Sequence, residues 1–438
     1  MTTTGGTEQE DQPITEVGKW DDMKRPSVLA VTALAGAAVL AMSACAAAGT
    51  PTTAPATTTT AVATTTTAAT TTSTQLPPFG QELQNTLDGA LNAEGAMGVS
   101  LAVMVPGYRL WVGVGGMSGP GEPITGDMAF GVASVTKSFM AALVLQLAEE
   151  DWLSLDDPLR EWLPYCSNVC GAITIKQLLN HTSGTYSYAE HPDFYLTVFG
   201  EGDRGLTDEE MLGRFVREPY FAAGAGWHYS NTGYTLLGMI VEEATNSTVS
   251  AELRDRFFDP LGLTTAFFIA EEAAPGEVAE GWLDVGRYAP ELDSDPAAQA
   301  FSQIPWTAFW SAAADAGGVF ASAEDLAKWA QALFGDQGVL RPDSLREMLD
   351  FIPIDPDTDI GQTLTGYGLG VEAYRPEFFD GARLIGHSGS EPAYKAASLY
   401  LPEHGASIGA TQNFDIDEAF GWVVQVVNVI INYVEPAP

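Results

Sequence analysis

Residues Phe130–Leu147, FGVASVTKSFMAALVLQL, hold the reading that decides the fold. Ser134 and Lys137 stand three apart, so a helix that begins at Ser134 places amine and hydroxyl on one face of its first turn. A serine hydroxyl needs something to take its proton. A lysine can do so once desolvation or a neighbouring charge lowers its pKa. Phe139, Met140, Leu143, Val144 and Leu147 recur at helical spacing and predict a buried helix that would dehydrate Lys137. The same helix start directs free backbone N–H groups and its positive dipole end at Ser134. Ser and Lys at this spacing also open many ordinary helices, so further motifs must decide.

A second motif is Tyr229-Ser230-Asn231, inside GAGWHYSNTGYTLLGMIVEEA, where a Gly-rich loop enters an apolar helix. A Tyr phenolate beside an ammonium exchanges protons with a serine, and an Asn amide binds a substrate carbonyl or orients the lysine. Helix capping by Ser230 or Asn231, with Tyr229 as packing, is the structural alternative. The third motif is His387-Ser388-Gly389-Ser390, which follows a strand-like LIG. A cation and a hydroxyl beside a glycine on a strand suit a substrate carboxylate, and Gly389 permits close backbone approach. Its alternative is a polar turn between strands.

In this order the three motifs resemble those of the serine β-lactamase and penicillin-binding-protein superfamily, on the branch of class C β-lactamases and D-alanyl-D-alanine carboxypeptidases. The resemblance spans Pro78–Val434 and includes LLNHTSG at 178–184, AGGVFASAEDLAKW at 316–329 and GHSGSEPAYKAASLYLPEHG at 386–405. It implies Ser134 as the acylated nucleophile, with Lys137 and Tyr229 as the proton-transfer pair. Asn231 would contact the substrate amide, and the backbone N–H groups of Ser134 and Ser390 would bind the oxyanion. His387 would take the electropositive position of the third motif, with Ser388 and Gly389 beside the substrate. Class C β-lactamases carry Lys-Thr-Gly there, so substrate-carboxylate affinity is expected to weaken as pH rises past the imidazole pKa. The implied activity is acyl-enzyme hydrolysis of a peptide, ester or β-lactam, with a D-Ala-D-Ala carboxypeptidase or D-amino-acid peptidase first, and no metal or organic cofactor. An esterase, a weak β-lactamase and a non-catalytic wall-binding or penicillin-sensing protein are the alternatives.

The chain has 438 residues, 46% of them hydrophobic, and a formal charge of −38, which argues against a nucleic-acid partner because phosphates would be repelled. Residues 1–22 are acidic without apolar periodicity and read as a disordered tail, or as sequence upstream of a translation start at Met23. Lys24 and Arg25 then precede an apolar run, Val28–Met42, that ends in Met42-Ser43-Ala44-Cys45 and resembles a bacterial lipobox. Residues 23–44 are thus expected to be a lipoprotein signal peptide and Cys45 the lipidated residue, on an extracytoplasmic protein held at the membrane. Fifteen apolar residues are short for a transmembrane span of about 20. Cys45→Ala is expected to block cleavage and leave a larger precursor; an unchanged mature mass on mass spectrometry contradicts the assignment. Residues 46–77 form an uncharged Thr/Ala/Pro tract that reads as a tether. Outside the cytoplasm Cys166 and Cys170 are expected to form a disulfide, worth about 2 kcal/mol for so short a loop.

The remainder, 78–438, reads as one hydrolase domain and is expected to be monomeric. Helical signals cover Gln81–Asn92, Ile175–Asn180, Asp208–Arg217, Thr232–Thr245, Ser250–Phe258, Ala323–Phe334 and Ala419–Val434. Strand signals fall at Val99–Val105, Arg109–Val114, Tyr367–Tyr374, Arg383–Gly386, Lys395–Leu401 and Ser407–Thr411. Strands at both ends with helices between predict an α+β fold: one antiparallel sheet flanked by N- and C-terminal helices, with a mostly helical inserted lobe. Asp355, Asp357 and Asp359 imitate the start of a calcium loop, but Gly366 stands where the bidentate Glu belongs, so they read as a solvated loop. His181, in LLNHTSG, reads as structural.

Overall fold

The computed structural model describes residues 76–93, 97–164, 173–201, 203–289, 299–300, 306–414 and 421–436. The expected signal peptide, Cys45, the tether and the Cys166–Cys170 pair lie outside them.

The strands, in chain order, are β1 (Gly98–Met104), β2 (Trp111–Gly119), β3 (Glu122–Pro123), β4 (Phe130–Gly131), β5 (Phe267–Phe268), β6 (Trp282–Leu283), β7 (Gln299–Ala300), β8 (Val319–Ala321), β9 (Ile352–Pro353), β10 (Leu364–Tyr367), β11 (Glu372–Tyr374), β12 (Ile385–Glu391), β13 (Tyr394–Leu401) and β14 (Ala406–Gln412). Nine of them form the main sheet in the order β3-β2-β1-β14-β13-β12-β11-β10-β9. The first and last thirds of the domain meet where β1 pairs antiparallel with β14, Val99 opposite Gln412. This is the α+β architecture that strand signals at both ends with helices between predict.

Strands β13 and β14 are buried along their whole length, because both sheet faces are covered. On one face lie α1 (Gly80–Ala93) and the C-terminal helix, here α6 (Trp422–Tyr433), whose Leu83, Leu87, Val423, Val427 and Ile430 share a core with Val99, Leu101 and Ile408. On the other lies α5 (Ala323–Ala330). Its close seat depends on Gly409, where a Cβ would come 1.9 Å from the Ala323 carbonyl oxygen.

The inserted lobe is built around α2 (Thr136–Glu149), which is buried on nearly every side and packs with α3 (Asn231–Thr245) into the largest core. Two sequence expectations are corrected. Tyr367–Tyr374 is not one strand: Gly370, at φ +67°, turns the chain, and Gly368 donates its N–H back to Val371, so β10 and β11 form a hairpin. A helix absent from the sequence reading, α4 (Thr307–Gly317), runs beside α2 and ends at the Gly317-Gly318 pair. The alanines of TAFWSAAADAG favour a helix, but Thr, Phe, Trp, Ser and Asp among them weaken the local signal.

Candidate active site

Ser134 does not sit on the first regular turn of α2. It occupies a tight 3₁₀ turn, Ala133–Val135, immediately before it, and Ala133 is held at φ +48°, a left-handed conformation uncommon for alanine. The turn is pinned by Val132 N–H to the Val319 carbonyl and by Val135 N–H to the Val132 carbonyl. Strained backbone beside a hydroxyl at the end of a buried helix is how a nucleophile is fixed in direction.

Two side chains converge on that hydroxyl. Lys137 Nζ lies 3.1 Å from Ser134 Oγ and donates to the Ala316 carbonyl at 2.7 Å. The Tyr229 hydroxyl donates to Ser134 Oγ at 2.8 Å. Tyr229 comes from the loop before α3, and the aromatic ring of His181 packs against it at 4.3 Å between centroids. The expected trio is therefore assembled from the start of α2 and the entrance to α3.

The electrostatics divide the roles. Lys137 is fully buried, and desolvation pulls its amine from 10.5 down to about 7, against the opposing pull of Glu372 and Glu391. Burial pushes the Tyr229 phenol well above its usual range, although the Ser134 hydrogen bond opposes this. Burial therefore disfavours the phenolate pictured from sequence: the phenol donates to Ser134 Oγ, and the Lys137 amine, its pKa lowered, stands 3.1 Å from the same oxygen. The lysine's orienting partner is the Ala316 carbonyl at the end of α4 and not Asn231.

Beside Ser134 opens a cleft lined by Asn231, Ser390, Glu391, Gly317 and the aromatic rings of Tyr188, Phe194, Tyr195 and Phe309. Asn231 begins α3 and lines the cleft, and its backbone N–H donates to Ser187 Oγ at 3.3 Å. Ser390 lies across from Ser134 on β12.

The rest of the third motif differs from expectation. His387 is 1% exposed, with Nε2 at 2.8 Å from the Tyr367 hydroxyl and Nδ1 at 2.5 Å from the Ser388 carbonyl. Burial and the Lys137 charge push its imidazole down to about 3, so it is neutral at physiological pH and offers no cation to a substrate carboxylate. Ser388 is also buried away from the cleft, donating both its N–H and its hydroxyl to Glu372 Oε2, at 2.8 and 3.0 Å. Gly389 acts as a spacer: a Cβ there would lie 2.2 Å from the Val132 carbonyl oxygen and 2.9 Å from Ser134 N.

His181 is buried, neutral and accepts the Ser230 N–H at Nδ1, the structural role read from its sequence context. Asp355, Asp357 and Asp359 are exposed. The sequence reading passed over Glu372 and Glu391, two acids buried around the lysine. Neither carries a local signal, since the residues that bury each come from distant parts of the chain.

The chain is 30% identical over 358 residues to penicillin-binding protein 4 of Amycolatopsis lactamdurans, an alignment covering 77% of this chain and 86% of that protein. Its fold is similar to that of the D-stereospecific amidohydrolase from a Streptomyces species, with TM-score 0.66 and 29% identity over 77% of this chain and 95% of the other. It is similarly close to the D-amino acid amidase from Ochrobactrum anthropi SV3, at TM-score 0.67 and 28% identity over 81% and 99%. Residues 83–421, which include the sheet, the helical lobe and the Ser134 constellation, match the sequence model of the Beta-lactamase family, and the chain belongs to that family as a serine hydrolase of the β-lactamase and penicillin-binding-protein superfamily.

Proposed function

We propose that this protein hydrolyses amide bonds next to D-amino acids, in peptides or simple amides of cell-wall type, by acylating Ser134 and releasing the acyl group to water. The observation that carries the reading is the pair of contacts on one hydroxyl, Lys137 Nζ at 3.1 Å and Tyr229 OH at 2.8 Å, with an open cleft alongside. Lys137 removes the Ser134 proton as Oγ attacks the carbonyl carbon. The proton then passes through the Tyr229 hydroxyl to the leaving amine. The backbone N–H groups of Ser134 and Ser390 receive the oxyanion, and Asn231 holds the substrate amide. Water follows the same route in reverse to release the acid.

Two points favour a D-amino-acid amidase or peptidase over a carboxypeptidase that reads a C-terminal carboxylate. The described residues that line the cleft include no Lys, Arg or His, and His387 is buried and neutral. The two solved structures of similar fold are also named for action on D-amino-acid amides or with D-stereospecificity. We propose further that Cys45 carries a lipid and that residues 46–77 tether the domain outside the cell membrane.

The test is intact-mass spectrometry after brief and long exposure to D-phenylalaninamide, a D-Ala-D-Ala peptide, benzylpenicillin and a nitrophenyl ester. A transient adduct on Ser134 with fastest turnover of the D-amino-acid amide is expected. Ser134→Ala is expected to abolish adduct formation and turnover while leaving the circular dichroism spectrum unchanged. Labelling that persists in the variant contradicts the assignment of the nucleophile, and turnover only of penicillin or the ester overturns the substrate class.

A further inference from the structure

We propose that Glu391 recognises a protonated amine on the acyl part of the substrate, so that the cleft takes an N-terminal residue whose α-ammonium is free. The hydrolysis of such a substrate rests on the amide-hydrolase reading above; the recognition of its amine does not.

Glu391 is the last residue of β12, next to Ser390, and lines the same cleft as Ser134. Its residue is 7% exposed, and its Oε1 is buried without any hydrogen-bond partner among the described residues. A carboxylate left so is expensive, because neither water nor a donor replaces what burial removes. Lys137 does not supply the donor: its hydrogen bonds go to Ser134 Oγ and the Ala316 carbonyl, and it acts on Glu391 only through space. The carboxyl is accordingly pushed well above the usual range by burial.

Two glycines give the carboxylate its room. A Cβ on Gly131 would fall 2.2 Å from Oε1, and a Cβ on Gly317 would fall 3.5 Å from Oε2 and 3.8 Å from the Ala133 backbone. The carboxylate therefore stands about one small group away from the turn that carries the nucleophile. An α-ammonium is one carbon removed from the scissile carbonyl, so a carbonyl at Ser134 brings its amine to this carboxylate. An ammonium supplies the missing donors and the missing charge together. The rings of Tyr188, Phe194, Tyr195 and Phe309 then face the residue's side chain, which suits an apolar one. An N-acylated residue, as in the interior of a peptide, would leave the carboxylate unpaired and meet it with a carbonyl oxygen.

Competition with a fluorophosphonate for Ser134 on the full chain reads binding without turnover. D-phenylalaninamide is expected to protect Ser134 at a concentration at least about tenfold lower than N-acetyl-D-phenylalaninamide, the scale of one hydrogen bond to a charged group. In Glu391→Gln the gap is expected to shrink to about twofold by loss of affinity for the free amine alone, each protein's protection being read against its own uncompeted labelling. Equal protection by the two amides in the wild type, or a gap that survives in Glu391→Gln, overturns the proposal. If the variant fails to fold, the α-hydroxy analogue of D-phenylalaninamide decides on the wild type: protection as good as that of the amine overturns the proposal, and weaker protection sustains it. Absence of amide turnover, with the protection gap intact, overturns the amide-hydrolase reading and leaves amine recognition standing.

Discussion

Lys137→Met is expected to lower kcat/KM by about a thousandfold, the usual worth of a positioned general base, and at the same time to raise the melting temperature. The two effects have one cause. The amine is buried completely, and its pKa falls from 10.5 to about 7. A group whose folded pKa is depressed binds fewer protons in the folded state than in the unfolded one, and for a lysine the penalty grows as pH falls from the unfolded value. It is absent above about 10.5, increases through the window between 10.5 and 7, and is complete below 7, where the depression corresponds to roughly 5 kcal/mol. Methionine removes that penalty and keeps the packing, while the Ala316 carbonyl loses its 2.7 Å donor at a cost of about 1–3 kcal/mol. The balance at neutral pH favours the variant, and thermal unfolding should show a rise of a few degrees.

The same depression fixes the pH profile of the wild type. Only the neutral amine accepts the Ser134 proton, so kcat/KM is expected to climb with unit slope below about 7 and to level off above it. An acid limb near 7 that disappears in Lys137→Met supports the lysine as base. A variant that retains the limb, or melts lower than the wild type, contradicts this account. His387, pushed down to about 3, contributes no limb between 5 and 8. The fall in carboxylate affinity at neutral pH that an exposed imidazole would produce is therefore not expected.

What could be read in the sequence follows from where the information is local. The Ser134–Lys137 spacing and the apolar run behind it specify a hydroxyl and an amine at the head of a buried helix, and the structure buries Lys137 completely. Tyr229 was legible because a polar triplet interrupts the entry to an apolar helix. His387 and Ser388 were placed wrongly because strand alternation fixes which residues share a face, but not what covers that face. Here Tyr367, Tyr374 and Glu372, brought in by the β10–β11 hairpin, cover it. That hairpin was itself read as a single strand, since Gly368 and Gly370 in an otherwise strand-like run mark the turn only weakly. Glu372 and Glu391 acquire their character from burial among residues distant in the chain, which no local pattern encodes.

Gly389→Ala is expected to reduce kcat by about a hundredfold to a thousandfold while leaving the acid limb of the pH profile near 7. The backbone of Gly389 needs no special conformation, since its φ is not in the left-handed region. What it needs is space. It lies in β12 opposite Ala396, and the 3₁₀ turn of Ala133–Val135 lies against its other side. An alanine Cβ would meet the Val132 carbonyl oxygen at 2.2 Å, Ala133 Cβ at 2.9 Å and Ser134 N at 2.9 Å. Two of these are backbone atoms held by the Val132–Val319 and Val135–Val132 hydrogen bonds, so the turn cannot give way cheaply. The strand must retreat by about 1 Å to restore ordinary contact, at a stability cost of about 1–3 kcal/mol for overpacking. That retreat carries Ser390 away from Ser134 and widens the space between the two N–H groups assigned to the oxyanion. A displacement of this size in a catalytic constellation costs about a hundredfold, and loss of one oxyanion donor up to about a thousandfold. Lys137 and Tyr229 belong to other elements and keep their contacts with Ser134, so the proton-transfer pair still titrates as before while the attacked carbonyl lacks its support. Steady-state kinetics across pH 5 to 9, with circular dichroism as a fold control, separates the effects: a kcat within about threefold of wild type shows that the strand yields without moving Ser390, and removes β12 from the oxyanion site.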